Sequence, residues 1–253
     1  VQKRIDIIND YIQEKGEIKL SELEKIIPDV STMTLRRDLE YLERRGDIIR
    51  IRGGARSISS LSKRFIKEEI YSLRQLENTT SKQTIAEKAV SFLAEGRSVY
   101  IDAGTTAMSF AMDVPDIHLS VLTSAPNVAL ELLKRKDIMI TLVGGQLSSE
   151  NIAISGSSSI DFVKNINIDL AFIATSGFSL ENGFTTGNSN ESELKRTVIK
   201  KARKVIMLMD LSKLDQSMMF TFASLKDIDV LVTDKQVPES IMRAASREKV
   251  KIV

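Results

Sequence analysis

The sequence predicts an α/β protein in two unequal parts, an N-terminal winged helix-turn-helix followed by a larger, Rossmann-like and mostly parallel α/β domain. Three observations predict it. The 253 residues suit one large domain or two unequal ones at ~100 to 200 residues each. The first 56 residues hold three short amphipathic helical patterns and then a basic extended segment. From Lys82 onward, short continuous apolar runs alternate with helical patterns, as the strands of a parallel sheet covered on both faces do.

The elements follow in order. Ile5, Ile8 and Ile12 recur at helical spacing, with Tyr11 beside them and Gly16 as the stop. Ser21-Glu22-Leu23-Glu24 reads as a capping box that opens a second helix through Ile27, closed by Pro28-Asp29. Ser31 caps a third helix, Thr32 to about Arg45, with Met33, Leu35, Leu39 and Leu42 as its apolar stripe and Thr34, Arg36, Arg37 and Asp38 on the other face. Gly46 ends it. Residues 47 to 52 then extend toward a Gly53-Gly54 turn, which completes a wing.

Residues 1–56 are therefore expected to form the winged helix-turn-helix, 57–80 a linker, and 81–253 a second domain. In that domain strands are expected at 98–101, 119–122, 138–143, 170–174, 205–209 and 230–232. Helices are expected from Lys82 to about 94 and at 106–112, 125–134, 157–165, 191–202 and 238–245.

Composition excludes several chemistries. The chain has no Cys, which removes disulfides, thiolate metal sites and cysteine nucleophiles, and it has one His. His118 lies beside a strand start and reads as a bland surface imidazole. No apolar run reaches the ~18 residues of a membrane span, and the first 25 residues carry charges rather than a signal-peptide core, so a cytoplasmic protein without membrane contact is expected. The sequons at Asn78 and Asn190 are then without meaning. Val1 stands where Met is usual, so at least one residue is expected to precede it.

A net charge of +2 hides a local stripe. Residues 1–35 carry five Lys or Arg against seven acids, whereas residues 36–56 carry seven Arg against four. Guanidinium forks suit phosphates and the guanine edge, so an all-Arg stretch on a helix-turn-helix points to double-stranded DNA. The first turns of a recognition helix reach base edges while the preceding helix crosses the backbone. Ser31, Thr32, Thr34, Arg36 and Arg37 are the candidate contacts there. Arg50, Arg52 and Gly53 are those of the wing, where alternate residues share one face.

Ligands of open α/β sheets sit at the carboxyl ends of the strands. Asp102-Ala103-Gly104-Thr105-Thr106 follows one strand and opens a helix, giving a Gly, two hydroxyls and free amides suited to an anion. Thr123-Ser124, Gly144-Gly145-Gln146 and Ala174-Thr175-Ser176-Gly177 occupy other strand ends. Glu191, Lys195 and Lys213 supply a carboxylate and two cations, and surface ion pairing is the bland alternative for these three. The effector set is therefore Asp102, Gly104, Thr105, Thr106, Thr123, Ser124, Gly145, Glu191, Lys195 and Lys213. No catalytic residue, metal ligand or cofactor is assigned.

Together, Arg4 with Ile8 and Ile12, the run Ser31-Thr32-Met33-Thr34-Leu35-Arg36-Arg37-Asp38-Leu39, Leu42-Glu43, Gly46 and Arg52-Gly53-Gly54-Ala55 resemble the signature of the DeoR family of bacterial transcriptional repressors. The second domain resembles that family's sensor domain, which is related to ribose-5-phosphate isomerase. The matching residues are Lys82 with Ile85-Ala86, Asp102 to Thr106, Gly144-Gly145, Gly156, Glu191 with Lys195-Arg196, Asp210 to Lys213, and Asp227 to Asp234. The resemblance implies a repressor of a sugar or carbohydrate catabolism operon. It further implies a phosphorylated sugar or related metabolite as effector and a homodimer or homotetramer on two half-sites. Three departures stand out: Arg52 where members commonly have His, a spacer one residue longer near Ile27-Pro28-Asp29, and Thr123-Ser124-Ala125 where Asn is usual in the middle. The alternatives are an isomerase-like enzyme with Asp102 or Glu191 as base and Lys213 in support, or a DNA-binding module whose second domain only oligomerises.

Overall fold

A computed structural model describes residues 2–28, 30–51, 53–57 and 71–253. Contacts divide the chain into two compact units, 1–78 and 79–253.

The first unit opens with helix α1 (Gln2–Lys15), whose Ile5, Ile8 and Ile12 are buried and whose last turn is closed by the Gly16 amide donating to the Ile12 carbonyl. Strand β1 (Glu17–Lys19) leads directly into helix α2 (Leu20–Ile26). The expected Ser21 capping box is not formed. Lys19 occupies the cap, because the paired β1 strand delivers the chain into the helix two residues earlier and the Leu20 amide bonds the Gly53 carbonyl. Glu24, freed from that box, accepts from the Thr32 hydroxyl at 2.6 Å.

Helix α3 (Thr32–Arg45) is capped by Ser31, whose Oγ accepts from the Thr34 amide, and ends at Gly46 in the left-handed region at φ 83°. Two expectations fail on it. Met33 is 68% exposed and not part of the apolar stripe, while Asp38 is buried and not solvated. The reason lies on α1: Arg4 reaches across and grips Asp38 with a two-pronged pair, Nε to Oδ2 at 2.7 Å and Nη2 to Oδ1 at 3.0 Å, making a carboxylate tolerable between two helices. The Arg4 guanidinium pKa is raised accordingly, chiefly by that hydrogen bond.

Strands β2 (Ile48–Ile51) and β3 (Gly54–Ser57) form the wing, and β1 pairs with β3 so that the sheet order is β1-β3-β2. A Cβ on Gly54 would lie 2.1 Å from the Ile18 carbonyl oxygen, so only glycine lets β1 close the wing. Ser57 thus belongs to the wing sheet. Arg52 and most of the 57–80 segment lie outside the described residues, and helix α4 (Tyr71–Leu76) closes the unit.

The second unit runs in chain order through α5 (Thr79–Val90), β4 (Arg97–Ile101), α6 (Thr105–Asp113), β5 (Leu119–Thr123), α7 (Pro126–Leu132) and β6 (Ile138–Leu142). Next come β7 (Gln146–Ser148), β8 (Ala153–Ser155), α8 (Ser157–Val163), β9 (Ile168–Ala174), β10 (Gly177–Ser179) and β11 (Gly183–Thr186). It ends with α9 (Ser189–Lys201), β12 (Ala202–Met209), β13 (Phe220–Ala223), β14 (Val230–Thr233), α10 (Glu239–Arg247) and β15 (Lys251–Ile252).

Seven strands make one sheet in the order β15-β14-β12-β9-β4-β5-β6, and every pairing in it is parallel. Its strands carry apolar residues on both sides. One face packs on Ile85 and Ala89 of α5, Phe110 of α6 and Leu132 of α7, with Phe110 stacked on Phe172 at 4.2 Å. The other face packs on Val163 of α8, Leu194 and Val198 of α9 and Ile241 of α10. The helical and parallel elements read from the sequence are all present.

The chain lays β4, β5 and β6 outward in one direction, then returns to place β9 against the other side of β4. That reversal makes the β4/β9 boundary the switch point of the sheet, where the two connections diverge at the carboxyl ends, the place at which open α/β sheets bind their ligands. The hairpin β7-β8 and the small antiparallel sheet β10-β11-β13 all follow carboxyl ends of sheet strands.

Candidate functional site: a buried charge cluster and an exposed recognition helix

Asp102 follows β4, Ala174 ends β9, and Lys195 rises from the second turn of α9. The three meet at the switch point. Lys195 Nζ donates to Asp102 Oδ2 at 2.5 Å and to the Ala174 carbonyl at 2.7 Å, and lies 3.1 Å from Glu191 Oε1. The Ala174 amide donates to the same Asp102 oxygen at 3.0 Å, so this carboxylate also ties the two strand ends together. Asp102, Lys195 and Glu191 are 1%, 2% and 7% exposed, which removes surface ion pairing as an explanation for Glu191 and Lys195.

Burial by itself lowers the Lys195 ammonium pKa, but the charges of Asp102 and Glu191 and their hydrogen bonds outweigh it, and the net shift is upward. The ring of Phe222 faces the ammonium at 5.1 Å. Two carboxylates thus share the one ammonium of Lys195. The Asp102 carboxylate, expected in an anion pocket, is turned inward onto Lys195 and the Ala174 amide.

The anion-suited group of the same loop is the start of α6. Gly104 caps that helix at φ 114° with no side-chain cap, and Thr105 and Thr106 occupy its first turn. Thr123 and Ser124 are buried and engaged. Thr123 Oγ1 accepts from the Ala125 amide, and Ser124 Oγ pairs with the Tyr100 hydroxyl at 3.0 Å. Burial and then the charge of Asp102 push the Tyr100 phenol well above its usual range, so it stays protonated. Gly145 sits against α8, where a Cβ would come within 2.4 Å of Ser159 Oγ. Lys213 is half-buried in the 3-10 turn after β12. Of the ten expected residues, the structure joins Asp102, Glu191 and Lys195 directly and Ser124 through Tyr100. Tyr100 and Asn151, which donates to Glu191 Oε2, escaped the sequence reading because one lies inside an apolar strand and the other in an unremarkable loop.

In the first unit Arg36 and Arg37 are exposed on α3, beside exposed Ser31, Thr32 and Met33. Thr34 is half-buried and its hydroxyl pairs with Ser31 Oγ at 3.0 Å. Arg50 projects from β2 but is held by Glu43 of α3 at 2.6 Å, which braces the wing against the helix. Gly53 is exposed at the wing tip, where a Cβ would meet nothing within 4 Å. Arg52 lies outside the described residues. His118 is exposed, as expected.

The helix-turn-helix and the switch-point cluster coincide with two known domains. The model of the DeoR-like helix-turn-helix domain matches residues 4–61, and that of the DeoR C-terminal sensor domain matches residues 77–235. The chain belongs to the DeoR family. Among DeoR-like relatives it is similar to the HTH-type transcriptional regulator GlpR of Haloferax volcanii, 38% identical over 221 residues that span 87% of this chain and 83% of that protein. It is similar to the HTH-type transcriptional repressor GlcR of Bacillus subtilis, 32% identical over 252 residues, 100% of this chain and 95% of that protein. Among solved structures, ribose 5-phosphate isomerase A of Methanocaldococcus jannaschii aligns with a TM-score of 0.41 and 15% identity over 55% of each chain. This DeoR-family member is a transcriptional regulator built from a DNA-binding unit and a sensor unit. No helix among its described residues is long and apolar enough to cross a membrane.

Proposed function

We propose that this regulator is a repressor of a sugar or carbohydrate catabolism operon and that a phosphorylated sugar or related metabolite, bound at the β4/β9 switch point, sets its operator affinity. The observation that carries the reading is the pairing of two chemistries at one switch point: the start of α6 with Thr105 and Thr106 and no side-chain cap, suited to a phosphate, beside the carboxylates of Asp102 and Glu191 around Lys195, suited to hydroxyls. Lys213 supplies the cation at the neighbouring strand end. Asp102, Thr123, Ser124 and Gly145 act mainly through position, holding strand ends and helix starts in register around the ligand.

On DNA, α3 enters the major groove. Arg36 and Arg37 contact phosphate or guanine, Ser31, Thr32 and Thr34 contribute hydroxyls, and exposed Met33 offers an apolar contact for a thymine methyl. Arg50, Arg52 and Gly53 place the wing on the flanking backbone. A homodimer or homotetramer doubles the contacts across two half-sites; Leu130 of α7, Leu133 at its end and Met139 of the edge strand β6, all more than 60% exposed, provide apolar surface for assembly.

Thermal shift of the full chain with a panel of three- to six-carbon sugar monophosphates tests the effector. One or more is expected to raise the melting temperature at millimolar concentration, and Lys213→Ala, which leaves the buried cluster intact, is expected to weaken that compound at least fivefold. A panel without any stabilising member contradicts the reading.

A further inference from the structure

The hairpin β7-β8 holds a side chain that the fold satisfies only in part. Asn151 stands at its turn, 5% exposed, between exposed Glu150 and half-buried Ile152. Its amide nitrogen donates to Glu191 Oε2, and that partner settles the orientation of the amide, since a carboxylate accepts only from the nitrogen. The amide oxygen is then fixed beside the charge cluster, buried, and without a hydrogen-bond partner among the described residues. Buried polar atoms nearly always find partners, so an orphan acceptor next to the switch-point charge cluster points to a donor that arrives with a ligand.

The local backbone supports the same conclusion. Ile152 adopts φ 52°, a left-handed conformation that a β-branched side chain resists, and a relaxed turn has no reason to contain it. The strained turn directly follows the residue whose side chain it carries inward. Ile154 anchors the hairpin from the other side, its amide donating to the Ser124 carbonyl at 2.8 Å. A second orphan, the Thr186 hydroxyl, is fully buried at the end of β11, two residues before Asn188, whose side chain caps the helix that bears Glu191 and Lys195.

We propose that Asn151 is a specificity-determining residue of the sensor: its amide oxygen accepts a hydrogen bond from a hydroxyl on the carbon chain of the effector, while its amide nitrogen holds Glu191 in place. The inference rests on the sugar-phosphate reading above and adds which protein atom distinguishes one polyol from another. The carboxylates of Asp102 and Glu191 favour a hydroxyl donor at this end of the switch point and leave the phosphate to the start of α6. A ligand lacking the hydroxyl leaves the buried acceptor unmet, and such sites discriminate strongly against analogues that cannot make the bond.

The test is a chemical double-mutant cycle on the full chain. Calorimetric affinities are measured for the sugar monophosphate that stabilises the wild type most and for its singly deoxygenated analogues, against wild type and Asn151→Ala, with Asn151→Ser replacing Ala if the latter does not fold. One analogue is expected to bind wild type about tenfold more weakly than the parent sugar, and the variant is expected to bind parent and analogue alike. Equal parent affinity in wild type and variant overturns the role of Asn151, as does a loss in the variant that simply adds to the loss from each deoxygenation. If no sugar monophosphate binds the wild type, the effector reading itself fails, and this assignment falls with it.

Discussion

Lys195 is the hub of the buried charge cluster. It joins Asp102 of one strand end, the Ala174 carbonyl of its neighbour and Glu191 one turn back on its own helix. A buried ion pair contributes little compared with an apolar filling, but removal of one partner leaves the other charge stranded. Lys195→Met strands two carboxylates and is expected to cost about 3–5 kcal/mol, a fall in melting temperature on the order of 10 °C for a unit of this size, read by calorimetry. The raised ammonium pKa gives the pH sign. Since the folded value lies above the unfolded ~10.4, the contribution of Lys195 is complete below that pH and is lost only as pH climbs through the folded value. Between pH 6 and 9 the stability difference between wild type and Lys195→Met is therefore expected to show no contribution from lysine deprotonation. On α3 the relevant side chains are exposed rather than buried. Arg36→Ala and Arg37→Ala are each expected to leave the fold unchanged and to weaken operator binding. In a fluorescence titration, a phosphate contact shows as a uniform loss with a salt slope lower by about one, whereas a base contact shows as relaxed sequence preference.

Elements differ in how plainly the sequence announced them. The long helices and the core strands were legible because each buries a whole face: Ile5, Ile8 and Ile12 on α1, or the apolar run of β12, leave a period that survives in any context. The three-residue strands β1, β7, β8 and β10 were not legible, since three residues hold no period and their pairing is decided by distant partners such as Gly54 for β1. The same limit hid Asn151 on its hairpin. Capping chemistry was legible at Ser31 and misread at Ser21, where β1 pairing overrode a good local signal. Ser31→Ala is accordingly expected to destabilise the first unit by about 1 kcal/mol, seen in its thermal transition, while Ser21→Ala is expected to change it little. Asp38 shows the converse. Helical spacing marked it as a surface position, and only the third dimension supplies Arg4. The loss of that pair in Asp38→Ala is expected to lower the same thermal transition, by less than the loss of a fully buried pair would because the Arg4 side chain keeps 24% of its exposure.

On the proposed function the whole molecule would couple two binding events, and its behaviour would reduce to linkage. A metabolite that prefers one state of the regulator changes operator affinity by its differential affinity for the two states, typically ~1–3 kcal/mol. The chain needs for this only amides, hydroxyls, Lys, Arg and carboxylates, which is consistent with a sequence free of Cys and with a single exposed His. If Leu130, Leu133 and Met139 form the proposed assembly surface, light scattering of wild type against Leu133→Asp is expected to show an oligomer that the added charge weakens. Coupling between the switch point and the recognition helix is addressed directly by one titration. The full chain is titrated onto its operator at fixed salt, with and without the sugar monophosphate that stabilises it most. Coupling predicts an operator affinity that shifts by roughly 5- to 150-fold in wild type and by much less in Lys213→Ala; identical wild-type curves with and without the saturating ligand contradict it.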